Sequence, residues 1–188
     1  MADTVLARQE KSDFRPSSAS DGVKPAPVLF RHPFPPEDWQ ILLATPPAIP
    51  EGANGEAEVD IFRQYCPVPV GDVQAICHTI LMQMLPGIIE KDLDLFGTAV
   101  NTIQGFGLKK VEHRLQSPLI HDLIATLMTT DAAGVGLSSF GPTVYAIGDT
   151  GMQDSLRAAE QVMAETGGSV LLTQARNHGG AEIRASPP

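Results

Sequence analysis

Cysteine, aromatic side chains and positive charge are all scarce in this 188-residue chain. It holds two cysteines, one tryptophan and two tyrosines, and aromatic residues make up only 5% of it. Cys66 and Cys77 fit no metal-binding spacing. With Cys77 placed on an apolar helix face, the expectation is reduced core thiols in a cytosolic protein. Thirteen basic residues against 22 acidic ones leave a formal net charge of −9 and a pI near 4.9. That balance excludes nonspecific binding to nucleic acid, which requires a basic surface. A phosphorylated ligand would have to be held by a local site, because the overall field repels it. No uninterrupted apolar run approaches the ~18 residues of a membrane span. The start, MADTVLARQEKSDFRP, is charged throughout and has no apolar signal core. These absences point to a cytoplasmic protein that acts neither on nucleic acid nor in a membrane.

What is present is proline and glycine, unevenly spread. Of 16 prolines, 11 lie at or before Pro69. The first 26 residues are polar, rich in Ser and Asp, and read as disordered or linker-like. Residues 27–184 form the expected domain, with 185–188 as a tail. Within the proline-rich part, Trp39–Ala44 is flanked by Pro35-Pro36 and Pro46-Pro47 and reads as a buried strand. Glu51 to Glu58 reads as an exposed acidic loop.

From residue 72 the periodicity is helical. Asp72 caps a helix with Val73, Ile76, Cys77, Ile80, Leu81 and Met84 as its stripe, and Pro86 ends or kinks it. A second helix runs from about Glu90 to Gln104, with Leu93, Phe96, Val100 and Ile103 inward, and Gly105-Phe-Gly107 stops it. A third begins with Ser117 as cap and Pro118 at the first helical position, and carries Leu119, Ile120, Leu123, Ile124 and Leu127. A glycine-rich loop follows, then a strand over Thr143–Ile147. A helix over Met152–Thr166 is closed by Gly167-Gly168, and a strand spans Ser169–Thr173. The pattern predicts an α+β fold, a small antiparallel sheet with helices on one face.

The densest signal is Ala133–Ala146, AGVGLSSFGPTVYA. Glycines allow positive φ and close approach to the backbone. Amides and hydroxyls in such a turn suit an anion, most often a phosphate, and Pro142 stiffens it. A glycine-rich hairpin without a ligand is the competing reading. Gly136-Leu-Ser-Ser-Phe-Gly141 fits the G-x-S-x-G nucleophile elbow in neither register, so a serine hydrolase is excluded.

Other candidates are weaker. His32, His78, His113, His121 and His178 share no metal spacing. Lys109-Lys110-Val-Glu-His113-Arg114 reads as a solvated face or as a phosphate-binding patch. Glu56 and Glu58 suit a Mg²⁺ or an acid–base pair, or simply face water. Arg176-Asn177 after the last strand reads either as the border of a site or as an exit turn.

The glycine-rich stretch and its Gly-Pro-Thr-Val-Tyr exit resemble the third motif of the GHMP superfamily of small-molecule kinases, which carry it in a C-terminal α+β domain. Pro27–Pro46, Gly55–Glu58 with Ile61-Phe62, LMQMLPGIIEKDLDLFGTAVNTIQ over Leu81–Gln104, and Ala175–Asn177 narrow the likeness. Together they resemble the β-ribofuranosylaminobenzene 5'-phosphate synthase family of tetrahydromethanopterin biosynthesis, over roughly residues 27–184. That resemblance implies condensation of phosphoribosyl diphosphate with 4-aminobenzoate or 4-hydroxybenzoate, with loss of diphosphate and CO₂ and with Mg²⁺ at the diphosphate. It implies that Gly134, Gly136, Ser138, Ser139, Gly141 and Thr143 line the phosphate-facing wall, with Gln104 and Arg176 as further substrate contacts. Members of the family are longer, and their N-terminal half supplies another phosphate loop that has no counterpart here. The resemblance therefore implies a homo-oligomer or a partner supplying that half. The alternatives are a non-catalytic binding or oligomerisation module of the same descent, or the remnant of a GHMP small-molecule kinase.

Overall fold

A computed structural model describes residues 27–35, 37–47 and 56–177. The expected linker over residues 1–26, the acidic stretch before Glu56 and the segment from His178 onward lie outside the described residues.

Trp39–Thr45 forms strand β1, as its apolar run between prolines dictates. It pairs antiparallel with Val144–Asp149 (β3) on one side and with Ser169–Thr173 (β4) on the other. Gly134–Leu137 forms β2, antiparallel to β3. The sheet order is therefore β2-β3-β1-β4, with β2 and β4 at the edges. The stretch Gly134–Leu137, read from sequence as loop, is a fully buried strand. Glycine lowers strand propensity, but here the neighbouring elements pack so closely that nothing larger fits.

Seven α-helices are described: α1 (Glu56–Tyr65), α2 (Val70–Thr79), α3 (Leu85–Glu90), α4 (Leu93–Ile103), α5 (Gly107–Arg114), α6 (Pro118–Leu127) and α7 (Gln153–Thr166). Glu56 and Glu58 are thus the acidic first turn of a helix and not part of a loop, where they favour the positive end of the helix dipole. Asp72 caps nothing on α2; its carboxylate accepts the Gly107 N–H at 3.0 Å and ties α2 to the start of α5. Pro86 does not stop the chain's helical course. Its missing N–H and its ring are accommodated by a π-helical turn, Ile80–Met84, that leads into α3. Lys91 then takes a left-handed conformation and Asp92 caps α4 by accepting the Leu95 N–H at 2.9 Å. The second helix begins there and not at Glu90. Cys66 is buried but Cys77 is exposed, as is Leu81, so the α2 stripe is narrower than its periodicity implied.

Alternation along the strands sorts the core. Leu42, Ala44, Val135, Leu137, Val144 and Ala146 face α6 and α7, joining Ile120, Leu123, Leu127, Ala159 and Met163. Trp39, Tyr145 and Ile147 lie in a second cluster with Phe96 and Val100 of α4. The antiparallel sheet backed by helices is as expected, and α4 adds partial cover to the other face. At the β1 start, Asn177 grips the incoming backbone. Its Nδ2 donates to the Phe34 carbonyl at 2.7 Å and its Oδ1 accepts the Phe34 N–H at 2.8 Å.

Candidate functional site

The β2–β3 connection, Ser138 to Thr143, is a tight turn closed on itself. The Ser138 N–H donates to the Thr143 carbonyl and the Gly141 N–H to the Ser138 carbonyl, both at 2.9 Å. Ser139 and Gly141 have φ of 50° and 78°, and the Gly141–Pro142 peptide is cis. A side chain at Gly141 would be strained by that φ, and its Cβ would displace Gln116 Oε1, 2.8 Å away. Ser138 and Ser139 are exposed, whereas Phe140 is buried with its ring edge-on to Phe62 of α1.

The turn's carbonyls are held by α5 and the residues after it. Lys109 Nζ donates to Leu137 O at 2.9 Å and to Ser139 O at 3.3 Å, while also pairing with Glu112. Gln116 Nε2 donates to Phe140 O at 3.0 Å. With the carbonyls drawn inward, the two serine hydroxyls stand outward. The amides of Ser139 and Phe140 have no hydrogen-bond partner among the described residues. That arrangement presents donors to an anion.

The other expected contacts fall in different places. Gly134 and Gly136 lie inside β2 and serve packing: a Cβ on Gly136 would stand 2.4 Å from the Tyr145 hydroxyl, and one on Gly134 3.0 Å from Gly97 Cα. The Thr143 hydroxyl meets Thr45 Oγ1 of β1 at 3.1 Å. The Gln104 amide is turned inward. Its Oε1 accepts the Leu137 N–H at 3.3 Å and His113 Nε2–H at 2.9 Å, and its Nε2 donates to Val100 O at 3.1 Å. Arg176 follows β4, at the opposite edge of the sheet from β2 and beyond the strand end where Thr173 approaches Ile41. The structure therefore gathers Ser138, Ser139, Gly141 and Thr143, places Gly134, Gly136 and Gln104 behind them, and sets Arg176 apart.

Burial lowers the His113 pKa, and the nearby charges of Lys109 and His121 lower it further. The ring is neutral at pH 7, with the proton on Nε2 toward Gln104. Burial raises the Tyr145 pKa against an opposing hydrogen bond from Gln104. No group of three or more His, Cys, Asp or Glu side chains converges as metal ligands among the described residues. The turn carries hydroxyls and amides but no carboxylate, so it does not fit Mg²⁺ by itself.

The sequence reads the Lys109–Arg114 patch as a solvated face or a phosphate-binding patch and does not resolve α5. Lys109, Glu112 and Gln116 are spaced three and four apart, one row of a helix, while Leu108 and Val111 are buried. That row was the available signal.

Residues 84–165 match the family model described as GHMP kinases C terminal. The chain is 48% identical over 173 residues to a protein of Methanocaldococcus jannaschii named beta-ribofuranosylphenol 5'-phosphate synthase, covering 91% of this chain and 50% of that one. A protein of the same name from Methanothermobacter thermautotrophicus is 42% identical over 184 residues, covering 98% of this chain and 54% of that one. The chain spans about half the length of the curated relatives it matches. Among solved structures, homoserine kinase from Cytophaga hutchinsonii superposes with a TM-score of 0.57 at 15% identity, over 77% of this chain and 44% of that one. Streptococcus pneumoniae phosphomevalonate kinase gives 0.53 at 12% identity, over 73% and 41%. No helix among the described residues is long and apolar enough to cross a membrane.

Proposed function

This chain carries the C-terminal domain of the GHMP superfamily and matches the C-terminal portion of beta-ribofuranosylphenol 5'-phosphate synthases, and on that premise we propose that it forms one wall of a phosphoribosyl-transferring active site. In the proposed reaction the anomeric carbon of phosphoribosyl diphosphate loses diphosphate and bonds to the ring carbon of 4-aminobenzoate or 4-hydroxybenzoate that carries the carboxylate. The carboxylate leaves as CO₂ and its bonding pair returns to the ring. The pathway served is tetrahydromethanopterin biosynthesis, in the cytoplasm.

The observation that carries the reading is the Ser138–Thr143 turn, fixed from behind by Lys109 and Gln116 with its serine hydroxyls outward. Donors held rigidly at a phosphate need no reorganisation as charge develops on it, which is where such sites gain rate. Ser138 and Ser139 hold the phosphate oxygens, and the amides of Ser139 and Phe140 add two more donors. The Mg²⁺ that the resemblance implies would, when bound, supply charge neutralisation at the diphosphate, and no residue of this turn would hold it. The other wall comes from the half that the relatives possess in addition, within a longer chain, a partner or an oligomer.

The test is to co-express the chain with a segment equivalent to the relatives' N-terminal half and measure CO₂ release from carboxyl-labelled 4-aminobenzoate and 4-hydroxybenzoate. Release that depends on phosphoribosyl diphosphate supports the reading; a folded complex that releases none rejects it. Exposed Leu81, Met82 and Leu171, each more than half accessible, favour a second reading as a binding or oligomerisation module. That one gains if the chain assembles stably yet no phosphoribosyl diphosphate binding is measured by calorimetry.

A further inference from the structure

The two edges of the sheet are finished differently. At β2, Asn101 takes the Ala133 carbonyl and the Val135 N–H, Gln104 takes the Leu137 N–H, and Lys109 takes the Leu137 carbonyl. Nothing comparable stands at β4. Among the described residues, only β1 bonds to the backbone of Ser169–Thr173. An open edge is normally blunted by a charge, a proline or a bulge. Ser-Val-Leu-Leu-Thr holds no charge and no proline, and its register with Ile41–Thr45 skips no residue.

Alternation says which of its groups are free. The Ser138 N–H bonds to the Thr143 carbonyl, and two residues along, Gly136 and Tyr145 are the next pair to exchange bonds. Carried across the sheet, that phase puts the β3–β1 bonds at Ala146 with Leu42 and the β1–β4 bonds at Leu43 with Leu171. Val170 and Leu172 therefore turn their N–H and carbonyl groups outward. Their side chains pack toward the α6–α7 face, whereas Leu171 points to the other face and is 57% exposed.

A second copy of the same strand matches this edge. Antiparallel pairing about a twofold axis at Leu171 sets Val170 opposite Leu172 of the second copy, so the outward groups of both bond to each other. Leu171 meets its own counterpart, hydroxyls of Ser169 and Thr173 meet at the ends, and no charge is buried. A twofold interface demands that kind of self-complementarity. Because side chains occupy the β2 edge, each copy has one edge to give and the assembly closes at two.

We propose that the free edge of β4 pairs with the same edge of a second copy, joining two four-stranded sheets into one. This deepens the oligomeric reading above by naming its surface and uses no part of the phosphoribosyl chemistry. Turnover by the co-expressed halves is read separately, so each reading fails alone.

Sedimentation of the full chain over a concentration series is expected to show a monomer–dimer equilibrium. Leu171→Lys, at an exposed position, sets two ammonium groups face to face on the axis. It is expected to raise the dissociation constant about tenfold or more while circular dichroism stays that of the folded chain. Cys77→Ser removes the exposed native thiol, and in that background Leu171→Cys is expected to give a disulfide-linked dimer under mild oxidation. Opposite residues of an unbonded pair have Cα atoms about 4.5 Å apart, within disulfide reach. Ser169→Cys is expected not to cross-link, because its own counterpart lies about 14 Å along the strand. A monomer at every concentration, a dimer undiminished by Leu171→Lys, or cross-linking of Ser169→Cys as readily as of Leu171→Cys overturns the proposal. So does loss of the Leu171→Cys cross-link when the relatives' N-terminal half is bound, which would assign the edge to that half.

Discussion

The Asn101 side chain stands where another strand's backbone would stand beside Val135. Its Oδ1 accepts the Val135 N–H at 2.8 Å while its Nδ2 donates to the Ala133 carbonyl at 3.1 Å. One amide thus closes the open edge of β2 at its start, from Ala133 to Val135. Asn101→Leu removes both bonds and leaves two backbone groups unpaired in a half-buried place, which is expected to cost about 2–3 kcal/mol. Asn101→Asp keeps the acceptor and is expected to lose less. Urea unfolding midpoints measure both, and a loss below about 0.5 kcal/mol for Asn101→Leu would show that water replaces the amide.

Gly97 of α4 faces the same crossing. A Cβ there would lie 2.3 Å from the Ala133 carbonyl oxygen, a backbone atom that cannot swing aside. Gly97→Ala is expected to lower stability by about 3 kcal/mol, at the upper end for overpacking. Gly71, in α2, has open space around its position, so Gly71→Ala is expected to raise stability by up to about 1 kcal/mol. Thermal melts of the two variants should move in opposite directions.

Lys109 and Glu112 form a pair whose side chains are 25% and 9% exposed. Removing Lys109 takes the cation away from a nearly buried carboxylate. Lys109→Met is expected to cost about 3 kcal/mol, and Lys109→Met with Glu112→Met to recover most of it. Because Lys109 also holds the Leu137 and Ser139 carbonyls, both variants should speed hydrogen exchange of the Gly141 amide. Unchanged exchange in the double variant would remove Lys109 from any part in holding the turn.

Asp131 caps α7 from a distance. Its carboxylate accepts the Ser155 N–H at 2.9 Å, the Ser155 hydroxyl at 2.5 Å and the Asp154 N–H at 3.1 Å. Partial burial opposes its ionisation, but the bonds from Ser155 and Asp154 prevail and lower its pKa from the ordinary 3.8. The folded state therefore holds this proton less tightly than the unfolded one. Its stabilisation is present above the ordinary value and disappears as pH falls through the folded value. Asp131→Ala is expected to cost about 1 kcal/mol at pH 7, as for a lost cap. The gap from wild type should close in strong acid, as read by urea midpoints.

His113 gives a pH effect in another window. Its folded pKa lies below the ordinary 6.5, mainly through burial and then through Lys109 and His121. The unfolded chain takes up the proton first, so stability should fall as pH drops from 6.5 toward the folded value. His113→Gln should flatten that slope between pH 7 and pH 5. An identical slope in the variant would assign it to the other histidines.

The strands and helices whose periods are regular were legible in the sequence. Trp39–Ala44, Ser169–Thr173 and the helix opening at Pro118 all sit where apolar spacing and bounding residues placed them. β2 was not legible, because two glycines in four residues, beside the Ser-Ser pair, give a strand little propensity. Its identity depends on Gly97 and Tyr145 approaching from elsewhere in the chain. Of the candidate site, the turn was legible and its support was not. The Ser-Ser turn announced itself by composition, but its support by Lys109 and Gln116 rests on contacts more than 20 residues apart, which no local pattern contains.

The grip of Asn177 on Phe34 joins positions 143 residues apart. Two stretches of backbone that begin and close the sheet therefore run side by side, and a short peptide between them would turn this part of the molecule into a ring. Opening that ring in the exposed bend at Thr150-Gly151 would produce a circularly permuted protein with every strand pairing kept.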